Sequence, residues 1–285
     1  MMSSFLKQFT ESYLAATGLL IVFMVVIGAL FGQWLIPFDP DAQNIMLRLK
    51  PPLFSGPTGL HLLGTDALGR DIFSRLVIGA RVSLLVGVAS VVISGVVGVT
   101  FGLIAGYEEK YAGRFLMAVT DIQLAIPFLV LALAVAAVVG PSLWNIIAIL
   151  GLTNWVQYAR VVRSEVLALR RREYIQAAHT MGISVPMILI RHLLPNVMST
   201  VIVISSLLVA KMILFESSLS FLGLGVPPQT PTWGTMIADG RNYVGNAWWV
   251  ATFPGLSIFL TVIGINLIGD RLRDMLDPRL RQMEG

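Results

Sequence analysis

The chain has 285 residues, 56% hydrophobic and 13% charged, with a formal net charge of +4. Soluble domains carry about 25% charged residues, so half that share with a mean hydropathy of +0.80 excludes an ordinary soluble fold. The absence of cysteine excludes disulfides, thiolate metal sites and cysteine nucleophiles, and in a membrane protein a positive balance reflects basic cytoplasmic loops rather than nucleic acid.

A bilayer crossing needs roughly 20 mostly apolar residues. Six runs approach that length: about Tyr13–Ile36, Ser83–Tyr107, Leu116–Val139, Leu143–Val161, Val197–Phe215 and Trp249–Ile268. The expected fold class is therefore all-α, a polytopic bundle of six transmembrane helices. The first run is too long for a signal peptide core, and no small-x-small site precedes Pro37, so it reads as an uncleaved span. The fourth is the least apolar, with Asn154 and Gln157 in its second half. Lys110, Arg160, Arg163 and Arg170 to Arg172 fall inside if both termini are cytoplasmic, which the positive-inside rule favours. The outer loop from Pro37 to Val82 is unusually basic, with Arg48, Lys50, Arg70, Arg75 and Arg81. Trp34 and the pair Trp248-Trp249 fall near outer ends, as an aromatic belt would place them.

Within the second span, Ser90, Ser94, Gly98, Gly102 and Gly106 recur at every fourth position. Such small side chains let another helix approach closely. Packing inside the bundle is the favoured reading, and a seam between two subunits the second. Pro127 should kink the third span, and Asp121 belongs at its cytoplasmic end. Lys211 and Glu216 are ionisable residues in or beside the fifth span, which makes them functional candidates by default. Snorkelling of Lys211 is favoured over a place in the translocation path.

The segment Gly64-Thr-Asp-Ala-Leu-Gly-Arg-Asp71 has the glycine spacing of a phosphate-binding loop. Arg70 and Asp71 replace its Lys and hydroxyl residue, and a carboxylate there would repel phosphate. It is no ATP site. His61, His179 and His192 have no metal-ligand spacing, and no GxSxG motif occurs. An enzyme is not indicated.

The most ordered polar stretch runs from Arg170 to Asn196, RRREYIQAAHTMGISVPMILIRHLLPN. Glu173 to Met181 is expected to form a short helix with Ile175, Ala178 and Met181 near one face. Gly182 should end it in a left-handed turn. Ser184 should cap the next helix, with Pro186 in its first turn. Such a helix can sit in a partner's groove, with the small Ala177 and Ala178 allowing close approach. The plainer reading is a hairpin that only joins spans four and five.

Gln176-Ala177-Ala178, three residues, Gly182, then a stretch ending in Leu194-Pro195 resembles the EAA loop of importer-type ABC permeases, E-A-A-x3-G-x9-I-x-L-P. Gln176 stands where the motif has Glu, and His192 where it has Ile. The segments GTDALGRDIFSRLVIGARVSLLVG, ESSLSFLGLGVPPQTPTWGTMIADGRNY and IGDRLRDMLDPRLR extend the resemblance. They are similar to the second, C-type permease of the dipeptide/oligopeptide/nickel family.

That resemblance implies a type I ABC importer permease fold in a bacterial inner membrane. It implies an N-terminal span and outer loop over residues 1–78, a permease core over 79–270 containing the coupling loop at 170–196, and a cytoplasmic tail at 271–285. Glu173, Tyr174, Gln176, Ala177, Ala178, Gly182, Leu194 and Pro195 are the implied ATPase-coupling residues, with Glu173 a substitute for the missing acid. The implied partners are a second permease, two cytoplasmic ATPases, an extracytoplasmic binding protein and membrane lipid. No cofactor is expected on this chain, because ATP and Mg belong to the ATPases. Peptides are the leading cargo, with nickel chelates or glutathione as alternatives. The outer segment Ser217–Trp248 is either near the docked binding protein or a re-entrant packing element. An ion-coupled secondary transporter is the rival class, but no coupling-ion residues or inverted repeat stand out.

Overall fold

The computed structural model describes residues 12–57, 59–227 and 229–276. Helix α1 spans Tyr13–Leu35, with Ser12 accepting from the Ala15 amide at its start. A short antiparallel pair, β1 (Phe54–Gly56) and β2 (Gly59–His61), lies in the loop that follows, with Ser55 opposite Leu60. Helix α2 is Ile72–Tyr107, α3 Ala112–Ala125, α4 Phe128–Val139 and α5 Leu143–Leu169. Helices α6 (Glu173–Thr180), α7 (Val185–Phe221), α8 (Trp233–Gly240) and α9 (Trp249–Leu276) complete the order. Among the described residues, the regular structure is helical apart from that small hairpin and an isolated bridge between Thr65 and Asp71.

Helices α1, α2, α7 and α9 are each long and apolar enough to cross a bilayer, and the bent pair α3–α4 would make a fifth. The expected third span is not one kinked helix. It breaks at Ile126-Pro127, where the axis turns by 88°. Proline disfavours helical geometry in the residue before it, and Ile126 is extended at φ −96°, ψ 124°. Pro127 is itself non-helical at ψ 126°, so two consecutive residues leave the helix and the chain turns a corner. Helix α5 continues through Arg160, Arg163 and Glu165 to Leu169, and its composition keeps it out of the set of clear spans. The last span runs past Ile268 to Leu276 without a break. The rest of the expected tail, from Asp277 on, lies outside the described residues.

The small residues of α2 pack inside the chain. A Cβ on Gly98 would lie 2.3 Å from the Trp155 carbonyl oxygen, and one on Gly102 2.7 Å from the Val162 Cβ. Gly106 faces Val166 in the same way, while the Ser94 hydroxyl donates to the Gly151 carbonyl at 2.8 Å. Helix α5 therefore lies along α2 for most of its length, at a distance only small side chains permit. Around this pair, α4, α6 and α7 share the largest apolar core, with Ile146, Leu150, Tyr158, Val162 and Met212 buried. A second core joins α1, α2, α7, α8 and α9 around Trp233 and Ile213.

The segment that mimics a phosphate loop has a structural purpose. A Cβ on Gly69 would fall 1.8 Å from the Asn44 carbonyl, and one on Gly64 2.4 Å from that of Lys50, so both glycines serve close backbone approach. Asp71 caps α2, accepting from the Ser74 amide and hydroxyl at 2.8 Å each, and holds His61 Nδ1 at 2.9 Å. Asp66 holds Arg70 at 2.7 Å and Arg75 at 2.6 Å, and both guanidinium groups also reach Asp239. The loop expected on the outer side offers less free positive charge than its sequence suggests, because Arg70 and Arg75 are buried and paired. Of the expected aromatic belt, Trp34 and Trp248 are exposed, whereas Trp249 is buried with its Nε1 donating to the Thr65 carbonyl. Trp233 likewise donates to the Leu76 carbonyl at 3.0 Å, and a Thr232–Thr235 capping box starts α8. The segment 217–248, expected on the outer side, is packed into the bundle through α8.

Lys211 places its Nζ 5.4 Å from the centre of the Phe215 ring. Glu216 is fully buried, accepting from the Ser220 hydroxyl at 2.7 Å and that of Ser217 at 3.3 Å. The two do not pair. Asp121 is exposed and pairs with Arg160 at 2.6 Å.

Candidate functional site

The loop between α5 and α7 is built around α6. Arg172, extended at φ −73°, ψ 142°, precedes the helix, and its carbonyl accepts from the Ile175 and Gln176 amides. Glu173 occupies the first turn, where a carboxylate complements the free N–H groups. The helix ends one residue before expectation. Gly182 has φ +76°, its amide donates to the His179 carbonyl at 3.0 Å, and the Ile183 amide donates to that of Ala178 at 3.2 Å. This pair of bonds is a Schellman turn, which needs a left-handed residue that glycine adopts without strain.

Ile175 and Ala178 face inward, each 2% exposed, and join the core around α2, α5 and α7. Met181 does not join them. It is 73% exposed, because seven residues after Tyr174 and four after Ala177 it falls on their side of the helix and not on that of Ile175. Tyr174, 45% exposed, Ala177 and Met181 instead form an outward stripe with the i, i+3, i+7 spacing of one helix face. Glu173 and Gln176 flank it in solvent, Gln176 donating to the Arg171 carbonyl at 3.3 Å. Of the two small alanines, Ala177 is open to a partner and Ala178 is covered by the chain itself.

Ser184 stands at the start of α7 in extended geometry, with Pro186 in the first turn, but its side chain makes no capping bond. The Ile188 amide donates to the Ser184 carbonyl instead. From Ile188 to Leu193 the helix widens into a π turn, in which the Leu194 amide donates to the Leu189 carbonyl, five residues back. Pro195 follows at once and has no N–H to give, so the widened turn accommodates a missing donor. Leu194 is half-buried against the core and Pro195 is exposed. Val185, Met187 and Ile190 are exposed apolar residues on the first turns of α7, and Ile190 borders the groove between α2 and α7.

Two openings flank this region. A cavity of ≈ 470 Å³ between α5, α7 and α9 is lined by Glu165, Asn196, Thr200 and Arg273. An apolar groove of ≈ 830 Å³ lies between α2 and α7, bordered by Val92, Val96, Leu189, Met198 and Val201. Neither was legible as a site from the sequence, where the lining residues read as ordinary parts of apolar spans. Among the described residues no group of three or more His, Asp or Glu side chains could hold a metal ion. The three histidines lie apart: His61 with Asp71, His179 near Tyr107, and His192 on the π turn.

Comparison with known proteins places this geometry in context. Residues 98–282 match the family described as binding-protein-dependent transport system inner membrane component. Residues 1–52 match the N-terminal TM domain of oligopeptide transport permease C. The chain is 44% identical to the di/tripeptide transport system permease protein DppC of Pseudomonas aeruginosa, over 97% of this chain and 93% of the relative. It is 40% identical to the glutathione transport system permease protein GsiD of Pectobacterium atrosepticum, over 97% and 91%. A probable D,D-dipeptide transport system permease protein, DdpC of Escherichia coli, is 39% identical over 94% and 88%.

Proposed function

The chain belongs to the binding-protein-dependent transport system inner membrane components, and on that premise we propose that it is one permease of an ATP-driven peptide importer. A second, related permease shares the translocation path, two cytoplasmic ATPases drive it, and a binding protein delivers the cargo. ATP hydrolysis belongs to the ATPases, and this chain moves rather than reacts. The six crossings are α1, α2, the broken pair α3–α4, α5, α7 and α9. Both termini are cytoplasmic, so α6 faces the ATPases.

The observation that carries this reading is the outward stripe of Tyr174, Ala177 and Met181 on a short helix closed by Gly182. An isolated helix of this length is unstable in water. Here Ile175 and Ala178 anchor one face in the core and leave an apolar face for a groove in the ATPase. Glu173 and Gln176 supply the polar contacts at its edge, Glu173 replacing the acid missing at position 176. Leu194 and Pro195 act one step removed, through the π turn that joins α6 to the long axis of α7. ATP shifts the transporter between states through its differential affinity for them, and α6 carries that shift into the membrane.

Peptides are the cargo best supported, since the relatives above carry di/tripeptide and D,D-dipeptide designations. Glutathione, itself a peptide, is the second reading, on the 40% identity to a glutathione permease. Nickel chelates have no counterpart among these relatives.

Uptake of a labelled dipeptide by vesicles holding the whole importer tests the reading. Uptake should need ATP and survive collapse of the proton gradient, which an ion-coupled carrier would not. Gly182→Leu should uncouple it by straining the left-handed turn. Normal uptake by that variant at normal expression would contradict the role of α6.

A further inference from the structure

Helix α6 is held on its own chain by little apolar surface: of its residues, only Ile175 and Ala178 are buried. A lever so lightly seated would slide unless something else tied it down. The tie is Arg170, which ends α5 three residues before α6 begins. Its guanidinium donates to the Tyr107 carbonyl at 2.5 Å and to the Glu109 carboxylate. Tyr107 is the last residue of α2, so its carbonyl is one of the unpaired acceptors at the negative end of that helix. Arg170 thus caps α2 from the root of α6.

The same tyrosine reaches the far end of α6. Its ring lines a cavity of ≈ 420 Å³ under the helix with Ile175, Gln176 and Thr180, and its hydroxyl lies 3.5 Å from His179 Nδ1, at the limit of hydrogen bonding. Glu109 is presented from a fixed turn, because the Glu108 carboxylate accepts from the Lys110 and Tyr111 amides at 2.8 and 3.0 Å. Helix α2 then runs unbroken for 36 residues to the outer side, where Arg75 locks its first turns to Asp66 and Asp239.

We propose that Arg170 is a positioning residue that joins α6 to the end of α2, so that movement of α6 is transmitted along α2 to the outer ion cluster as well as into α5 and α7. This rests on the reading of α6 as the ATPase-docking helix. Without Arg170, α6 still docks and ATP is still hydrolysed, but the stroke is lost in sliding at Ile175 and Ala178.

The test uses the whole importer in vesicles, reading ATP hydrolysed per labelled dipeptide taken up, together with a crosslink from Ala177→Cys to the ATPase. Arg170→Ala should keep the crosslink and the ATPase rate while ATP per dipeptide rises about tenfold, within the range of coupling between sites. Arg170→Lys, which retains an ion pair with Glu109 but not the fork to the carbonyl, should fall between. Glu109→Gln should shift the ratio in the same direction by less, since the pair is partly exposed. If Arg170→Ala fails to assemble, Glu109→Gln decides, because it alters one exposed carboxylate. A wild-type ratio in both variants overturns the proposal. So does a crosslink lost in Arg170→Ala alone, which would make Arg170 a docking residue. No crosslink in the otherwise unaltered importer removes the docking reading itself.

Discussion

Replacing Gly98 by alanine tests whether the α2–α5 seam belongs to this chain or to a neighbour. The new Cβ would lie 2.3 Å from the Trp155 carbonyl oxygen and 2.6 Å from the Tyr158 Cβ. Neither atom can rotate away, so the two helices must part by several tenths of an ångström along a seam that also holds the bond from Ser94 to Gly151. Overpacking of this kind costs about 1–3 kcal/mol, against a gain of roughly 1 kcal/mol from alanine's better helix propensity. The net expectation runs from near balance to a loss of about 2 kcal/mol. Gly95, one turn away, is the control: its added Cβ would meet the Tyr158 ring at 3.8 Å, ordinary contact. Gly95→Ala should stabilise by up to about 1 kcal/mol, leaving the two variants roughly 1–3 kcal/mol apart. The assay is unfolding of the isolated subunit in detergent micelles by titrated denaturant, followed by circular dichroism. Equal stability of the two variants, with no partner permease present, would refute an intramolecular seam.

Arg75→Ala should cost about 3 kcal/mol, because it removes a fully buried cation and leaves Asp66 with Arg70 alone; wild-type yield and unfolding would show the cluster to be dispensable. Glu108 is held below its ordinary carboxylate value first by the hydrogen bond from the Tyr111 amide, and then by those from Ala112, Lys110 and Gly113. A depressed folded pKa stabilises above the unfolded value and is lost as pH falls through the folded one. The stability gap between the wild type and Glu108→Gln should therefore be full at neutral pH and close below 4.5. A gap that does not change over that window would show that the charge is not what orders the turn.

Local chemistry was readable from the sequence, and long-range partners were not. The α6 helix, the left-handed Gly182 and the small-residue face of α2 each depend on neighbours within a few positions, and each is found, α6 one residue shorter than expected. Helix α2 starts at Ile72 rather than Ser83, capped by Asp71, and carries Arg75 paired with Asp66 at 2.6 Å and with Asp239, 164 positions away, at 3.4 Å. Read alone, that arginine looks like a loop residue. Pro127 signalled a kink, but the size of the turn came from Ile126 leaving the helix with it. Met181 was expected near the face of Ile175 and Ala178, whereas the i, i+3, i+7 spacing sets it with Tyr174 and Ala177, and it is exposed. The tie from Arg170 to Tyr107 spans 63 positions and had no local sign.

The most direct measurement of the central claim compares two adjacent cysteines in this cysteine-free chain. Ala177→Cys and Ala178→Cys would each be placed opposite cysteines along the ATPase groove in the assembled importer. Position 177 is open and position 178 is 2% exposed, so the account predicts a nucleotide-sensitive crosslink from 177 and little from 178. No crosslink from 177 in a complex that contains both ATPases, or equal yields from the two positions, would contradict it.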